Sequence, residues 1–491
     1  MHKQMNVVAL AIHFHEFSLE VTAYLREQGF QSFNGLTVEH GLSVFSEKDQ
    51  MHMHVENAVT ALPNVLDFCH RPNYIKIMQR IQAYQFRLKP DDTCQLHMRG
   101  YVGSCRFVFN KALALQIDRR EKGLKHLSYV KLCAELKTWK STEETAWLNE
   151  TPSQALQQSL KNLDTAYKRF FQNLSDFPRF KKKGLRDSYR YPQGVKLDQD
   201  NSRIFLPKLG WMRFHNSRKV EGDICNATVS FKAGHWYVSI QTEREVDQPR
   251  HPSVLAAGVD MGIVRFATLW DGGQETVIEP LNSFKRHQVR LAKAQRQMSR
   301  KVKFSANWKK AKARVQTIHH QIANARNDFL HKTSHSLSQN HALLCVEDLQ
   351  VSNMSRSAKG TTDAPGKNVS AKAGLNRSIL DQGWGEFRRQ LDYKQQWMGG
   401  WVVAVAPAYT SQTCPICSHV HRGNRLSQSK FQCQSCGHAE HADTVAGKNI
   451  RERGLKLLEG PDLAQIACEV NGAVMPSAAG TTLVSEAAFA V

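Results

Sequence analysis

The sequence predicts a mixed fold, in which an α/β part is joined to a β-barrel with a helical insertion and carries a zinc-binding ribbon. Three observations predict it. Strand-like alternation at Arg80–Leu88 returns across residues 188 to 246, with an amphipathic helix between them. Two apolar runs, Leu255–Val264 and Ala342–Val346, read as buried strands, each with an acid in it or at its end, and long helical stretches follow them. Cys414, Cys417, Cys433 and Cys436 form two CxxC pairs with fifteen residues between them.

Taken in order, residues 1–77 hold eight acidic and five basic side chains and seven of the 22 histidines. Phe14–Arg26 and His54–Phe68 have weak helical periodicity, but no motif emerges. The segment reads as an N-terminal extension of unknown role, either a small accessory domain or an over-extended translation start; a metal or sensor role for its histidines is the alternative.

A new pattern starts at Met78. After the strand at 80–88, Asp91 and Asp92 offer helix N-caps to a run with Leu96, Val102, Phe107, Phe109 and Leu113 at mixed helical spacing. Ser153–Gln172 puts Leu156, Leu160, Leu163, Tyr167, Phe170 and Phe171 on one face, which is plain core packing. Phe177–Gly184 (FPRFKKKG) leaves two readings open, a phosphate-contacting and base-stacking loop or a solvated one. Strands follow at Arg203–Leu206, Trp211–Phe214, Ala227–Phe231 and Trp236–Thr242, the last two joined across 232–235 as a hairpin. Residues 78–90 and 185–250 therefore form the barrel, and 91–184 the helical insertion.

The 66 Lys plus Arg against 44 Asp plus Glu give a formal charge of +22, which attracts polyanions, nucleic acid first. No stretch reaches the roughly 18 apolar residues of a membrane span, and the first residues lack signal-peptide character. The expectation is a cytoplasmic protein with no membrane partner. Residues 285–326 contain thirteen Lys or Arg and no acid, on helices with a turn near 302–306. A solvated face is the ordinary meaning of a charge run, but forty residues of self-repulsion favour contact with a polyanion. Asn376–Trp397 reads as one more helix, and Ser352–Gly374 as a mobile loop.

Three acids carry the chemistry. Asp260 lies at a break in its apolar run, where a turn former is the competing reading. Glu347 ends a buried strand, where an acid is costly unless paired or metal-bound. Asp443 opens a helix, where it is either an N-cap or an ionised metal ligand. Three carboxylates on separate elements of a basic chain suit two-metal phosphodiester hydrolysis, with two Mg²⁺ ions on the oxygen ligands. The two CxxC pairs suit one structural Zn²⁺, since soft thiolates select it. The other seven cysteines read as ordinary buried residues.

GVDMGIVRFATL, ALLCVEDLQVSNM, LNRSILDQGWGEFRRQLDYK, TSQTCPIC with FQCQSCG, and HADTVAGKNI follow one another in an order that resembles the transposon-encoded OrfB/TnpB proteins. These are RNA-guided endonucleases related to compact type V CRISPR effectors. The resemblance runs from about Met78 to Arg453. It implies a RuvC nuclease core of RNase H-like fold (251–410, with its third acid motif at 441–455), an inserted zinc ribbon (411–440), an N-terminal wedge barrel and a helical recognition insert; 456–491 is a tail. It implies that Asp260, Glu347 and Asp443 are the Mg²⁺-binding catalytic acids, and that the four cysteines hold Zn²⁺. It also implies a non-coding guide RNA from the element's end and double-stranded target DNA as partners. Two positions depart from the third motif, Val445 for Asn and Gly447 for Ala. They keep open an RNA-guided repressor that binds without cutting. A DDE-type transposase is a weaker alternative, because the acid order here is Asp, Glu, Asp.

Overall fold

The computed structural model describes residues 77–362 and 364–459. The helical expectations within 1–76 and the tail beyond 459 lie outside them.

The first layer is a seven-stranded sheet of order β2-β6-β7-β1-β5-β4-β3. Its strands are β1 (Ile77–Lys89), β2 (Ser188–Tyr191), β3 (Lys196–Asp198), β4 (Arg203–Leu206), β5 (Gly210–Phe214), β6 (Asp223–Lys232) and β7 (His235–Asp247). β2 and β3 stand at the two ends of the order, so no strand pairing among the described residues closes the expected barrel. The hairpin is tighter than the sequence implied. β6 and β7 pair up to Lys232 with His235, and Ala233 and Gly234 both take positive φ, as a two-residue turn between twisted strands requires.

Three helices leave the sheet after β1: α1 (Asp92–Glu121), α2 (Tyr129–Ser141) and α3 (Ser153–Phe171). Asp91 starts α1 by accepting the Cys94 amide at 2.6 Å. The apolar face of α3 is buried at Leu156, Leu160, Leu163 and Tyr167, in one core with Phe86 and Leu88 of β1 and Val238 and Ile240 of β7, whereas Phe171 at the helix end is 64% exposed and does not join the expected core packing. Alternation along β1 and β7 and helical spacing along α3 thus fill the same space.

The second layer is a five-stranded sheet of order β10-β9-β8-β11-β12, built from β8 (Ala256–Met261), β9 (Ala267–Trp270), β10 (Glu275–Ile278), β11 (Leu343–Glu347) and β12 (Trp401–Val405). β8, β11 and β12 run parallel, while β9 and β10 turn back antiparallel. Helices cover it: α4 (Ser283–Ser299), α5 (Ala306–Asn340), α6 (Val369–Gln382), α7 (Trp384–Met398) and α8 (Ala442–Glu459). Leu330 and Leu337 of α5 meet Phe387 and Leu391 of α7 in a core that includes Val259 and Leu344. Ala446 and Ile450 of α8 pack with Cys345, Val403 and Val405 in another. Parallel strands covered in this way need continuous apolar runs, as 255–264 and 342–346 supply.

Two expectations change. The helix over Asn376–Trp397 is two helices, α6 and α7, because Gly383 takes φ 74° and ends the first. Residues 352–374 are not one loop, since a single helical turn spans Val351–Met354 and α6 already starts at Val369.

Candidate active site and zinc ribbon

β8 and β11 are neighbours in register, with Val346 level with Val259. One residue further stand Glu347 and Asp260, at the carboxyl ends of parallel strands where α/β sheets bind ligands. Thr268 of β9 flanks Asp260 on the other side. Asp443 arrives from the first turn of α8. That helix lies directly on β8, because Gly258 leaves room for it: a Cβ there would run into the Gly447 carbonyl oxygen. Arg451 of α8 then donates from Nε to the Ala256 oxygen at 2.9 Å. As a result Asp260, Glu347 and Asp443 line one cavity of about 300 Å³, together with Thr268, Thr410 and Arg425.

The electrostatics of that cavity are strained. Burial, then repulsion from Glu347 and Asp443, pushes the Asp260 carboxyl up to about 7, with Arg425 opposing. Burial also raises Glu347, against the Thr410 hydroxyl and the nearby Arg453 and Arg425. Acids held this close resist joint ionisation unless a cation joins them. The donors are carboxylate and hydroxyl oxygens, which match a hard divalent ion such as Mg²⁺.

Three further residues have roles here that the sequence did not assign to them. Thr410 donates its hydroxyl to Glu347 Oε1 at 2.7 Å. Asn449, buried on α8, donates from Nδ2 to the carbonyl oxygens of Thr410 (2.7 Å) and Thr413 (2.8 Å), tying that loop to the helix that carries Asp443. Arg425 belongs to the cysteine-rich segment, yet its side chain lines the acid cavity; Nη1 donates to Ser411 Oγ at 2.7 Å and Nη2 to the Gln428 oxygen at 3.1 Å. Thr410 and Asn449 sit inside motifs that drew attention for other residues. Nothing in the spacing of Arg425 marks it.

The four cysteine sulfurs lie within 4.8 Å of one another. Cys414 and Cys436 Sγ are 3.6 Å apart, and Cys417 and Cys433 Sγ 3.5 Å. Those separations exceed a disulfide and approach the edge of a thiolate tetrahedron around zinc, about 3.8 Å for Zn–S bonds of about 2.3 Å. The two knuckles share one backbone pattern. Ser418 N donates to Cys414 O and Cys414 N to His419 O, just as Gly437 N donates to Cys433 O and Cys433 N to His438 O. Ser418 and Gly437 both take positive φ, at 59° and 75°. Amides of Cys436 and Ser435 point at Cys433 Sγ and lower its thiol, while hydrogen bonds among the sulfurs raise Cys436, so the cluster shares its protons. A short hairpin of β13 (Lys430–Gln432) and β14 (Ala439–His441) completes the ribbon and leads straight into α8.

The two departures from the third motif are packing positions. Val445 is fully buried in a cluster with Cys414, Phe431, Cys433 and Ala442, so the valine seats the ribbon on α8. Gly447 faces β8 and β9, where a Cβ would come within 3.3 Å of the Trp270 Cβ. Neither residue lines the acid cavity.

The chain is similar to known proteins. Family models match residues 239–358 ("Probable transposase"), 384–450 ("Cas12f1-like, TNB domain") and 78–125 ("Helix-turn-helix domain"). Over 78–125 the structure has β1 and the single long helix α1. The chain is 56% identical over 388 residues to the putative RNA-guided DNA endonuclease InsQ of Escherichia coli (strain K12), covering 79% of this chain and 96% of that one. It is 34% identical over 386 residues to a putative RNA-guided DNA endonuclease of Streptomyces pristinaespiralis, covering 77% and 91%. Among solved structures, the Cas12f1–sgRNA–target DNA complex aligns with TM-score 0.50 at 11% identity, over 76% of this chain and 99% of that one, a likeness of fold.

Proposed function

Since this chain belongs to the OrfB/TnpB family of transposon-encoded RNA-guided DNA endonucleases, we propose that it cuts DNA at a target selected by a non-coding guide RNA, using Asp260, Glu347 and Asp443 as its catalytic acids. The observation that carries the proposal is the meeting of three acids from β8, β11 and α8 in one cavity, with Asp260 pushed up to about 7. Magnesium held by those carboxylates would supply Lewis acidity and an activated water for phosphodiester hydrolysis. The protein's part is to orient the donors and exclude alternatives. Thr410 fixes Glu347 through its hydroxyl, and Asn449 holds Thr410. Arg425, kept at the cavity wall by Ser411, offers a guanidinium to a phosphate oxygen, a contact its planar donor fork suits.

In this reading the five-stranded sheet is an RNase H-like RuvC core, the seven-stranded sheet the wedge and α1–α3 the recognition insert. Zinc in the ribbon is structural. Sequence choice rests with base pairing, so basic channels matter more than base-reading helices. No helix among the described residues is long and apolar enough to cross a membrane.

The test is cleavage of a plasmid library by protein co-expressed with its flanking RNA, beside Asp260→Ala. Cutting that requires magnesium, RNA and Asp260 supports the endonuclease. Tight RNA-dependent binding without cutting replaces it with a repressor.

A further inference from the structure

The α4–α5 hairpin is zipped by a small core of its own, Leu291 and Ala294 against Val315, Ile318 and Ile322, with Met298 packed on it. Beyond Met298 the apolar side chains find no such partner in that core. Val302 and Phe304 are 79% and 66% exposed at the tip. Phe304 also takes φ 70°, a backbone conformation bulky residues rarely adopt. Its ring meets Trp308 edge to face at 5.5 Å. Ser305 fixes the second ring's backbone by accepting the Trp308 amide at 3.1 Å while capping α5.

Charge surrounds this pair. Arg300, Lys301, Lys303, Lys309, Lys310 and Lys312 cluster within thirteen residues, and the chain has no Asp or Glu from 280 to 327. Lys303 Nζ stands 5.3 Å from the Phe304 ring centre, and Lys312 Nζ 5.2 Å from that of Trp308. Trp308 is half-buried, but Phe304 leaves a large apolar ring in water, a cost that a ligand would remove. A lysine collar selects an anionic ligand, and the exposed Phe304 ring beside Trp308 selects one with flat, unsaturated groups.

We propose that the tip of the α4–α5 hairpin is a stacking site for unpaired nucleotides, with bases on Phe304 and Trp308 and phosphates on the surrounding lysines. The inference rests on the nucleic-acid role proposed above and adds to it a place where single-stranded chain is gripped. Paired bases hide their faces in the stack, so the ligand is a displaced DNA strand or an unpaired stretch of RNA.

Binding of the full-length protein is measured with fluorescent oligothymidylate and oligouridylate of about twelve nucleotides, near the upper end of common single-strand site sizes, and with an abasic deoxyribose-phosphate chain of equal length. Phe304→Ala combined with Trp308→Ala is expected to weaken the base-bearing oligonucleotides at least about fivefold, since each stacked base accounts for about 5- to 150-fold, and to leave the abasic chain unchanged. Phe304→Tyr keeps an aromatic face and should bind like the parent protein, which separates stacking from damage to the hairpin. The larger loss between thymidylate and uridylate identifies DNA or RNA as the source. Equal losses on abasic and base-bearing chains, or no loss on either, would each overturn the proposal. No cleavage is read, so failure of the endonuclease reading leaves these outcomes intact.

Discussion

Replacing Asp260 with asparagine is expected to abolish cleavage and, in metal-free protein, to raise stability. The carboxyl stands at about 7 in the folded state against 3.8 ordinarily, a rise equivalent to about 4 kcal/mol at about 1.4 kcal/mol per pH unit. The side chain keeps an opening to its cavity, and water there relieves part of the cost, so about 2 kcal/mol is expected. In a chain of this size that moves the melting temperature by about 2 to 5 °C. The sign follows from linkage. Below about pH 4 the carboxyl is protonated in both states and asparagine confers no advantage. Between about pH 4 and pH 7 the unfolded chain ionises while the folded one resists, so the parent protein loses stability and the variant does not. Above about pH 7 the gap is constant. Magnesium should invert the ranking, because the parent has three carboxylates to hold it and the variant two. Melting is followed near pH 4.5 and near pH 8, with chelator and with millimolar magnesium. A gap that is the same at both pH values, or an equal magnesium gain in both proteins, would refute the reasoning.

Thr410→Ala and Asn449→Ala should each reduce cleavage about 10- to 100-fold, as loss of a ligand's supporting hydrogen bond does, with RNA binding unchanged in a mobility-shift assay. Arg425→Ala should reduce single-turnover cleavage on the order of 10²- to 10³-fold, the usual effect of removing one charge-stabilising donor, and Arg425→Lys should recover only part of it because the planar fork is lost. Elemental analysis should find one zinc per chain, and Cys414→Ser should lose it and lower the melting temperature. Gly258→Ala should cost about 1 to 3 kcal/mol by overpacking, read as a lowered melting temperature, because its Cβ has nowhere to go but the backbone of α8.

Sequence reasoning works where periodicity or ligand spacing is strong. Alternation along Tyr84, Phe86 and Leu88, and the helical stripe of α3, are visible because each residue's neighbours in space are set by its neighbours in sequence. The four cysteines are legible for a similar reason, since the paired CxxC spacing anticipates the clustering of their sulfurs within 4.8 Å of one another. Arg425 is invisible because its importance comes from the ribbon's seating beside the acid cavity, a contact that no local period encodes. The break at Gly383 was hidden by an apolar pattern that continues across it; a glycine inside a helical run signals a stop only when its backbone turns left-handed. Ionisable residues at strand ends were suspicious singly, but their convergence depends on the register of β8 against β11 and on the glycines that let α8 approach.

That last dependence links the acid cavity and the cysteine cluster. Asp443 turns toward the acid cavity, Val445 packs into the ribbon core, and Asn449 holds the loop carrying Thr410, all within the first two turns of α8. Ribbon and acids therefore share one rigid element rather than sitting side by side. A valine at 445 in place of a polar residue deepens this union, because its side chain is buried against Cys414 and Cys433. Loss of zinc should then disturb Asp443, Arg425 and Thr410 together. The departure at 445 argues for a more tightly coupled nuclease than for one that has abandoned cutting.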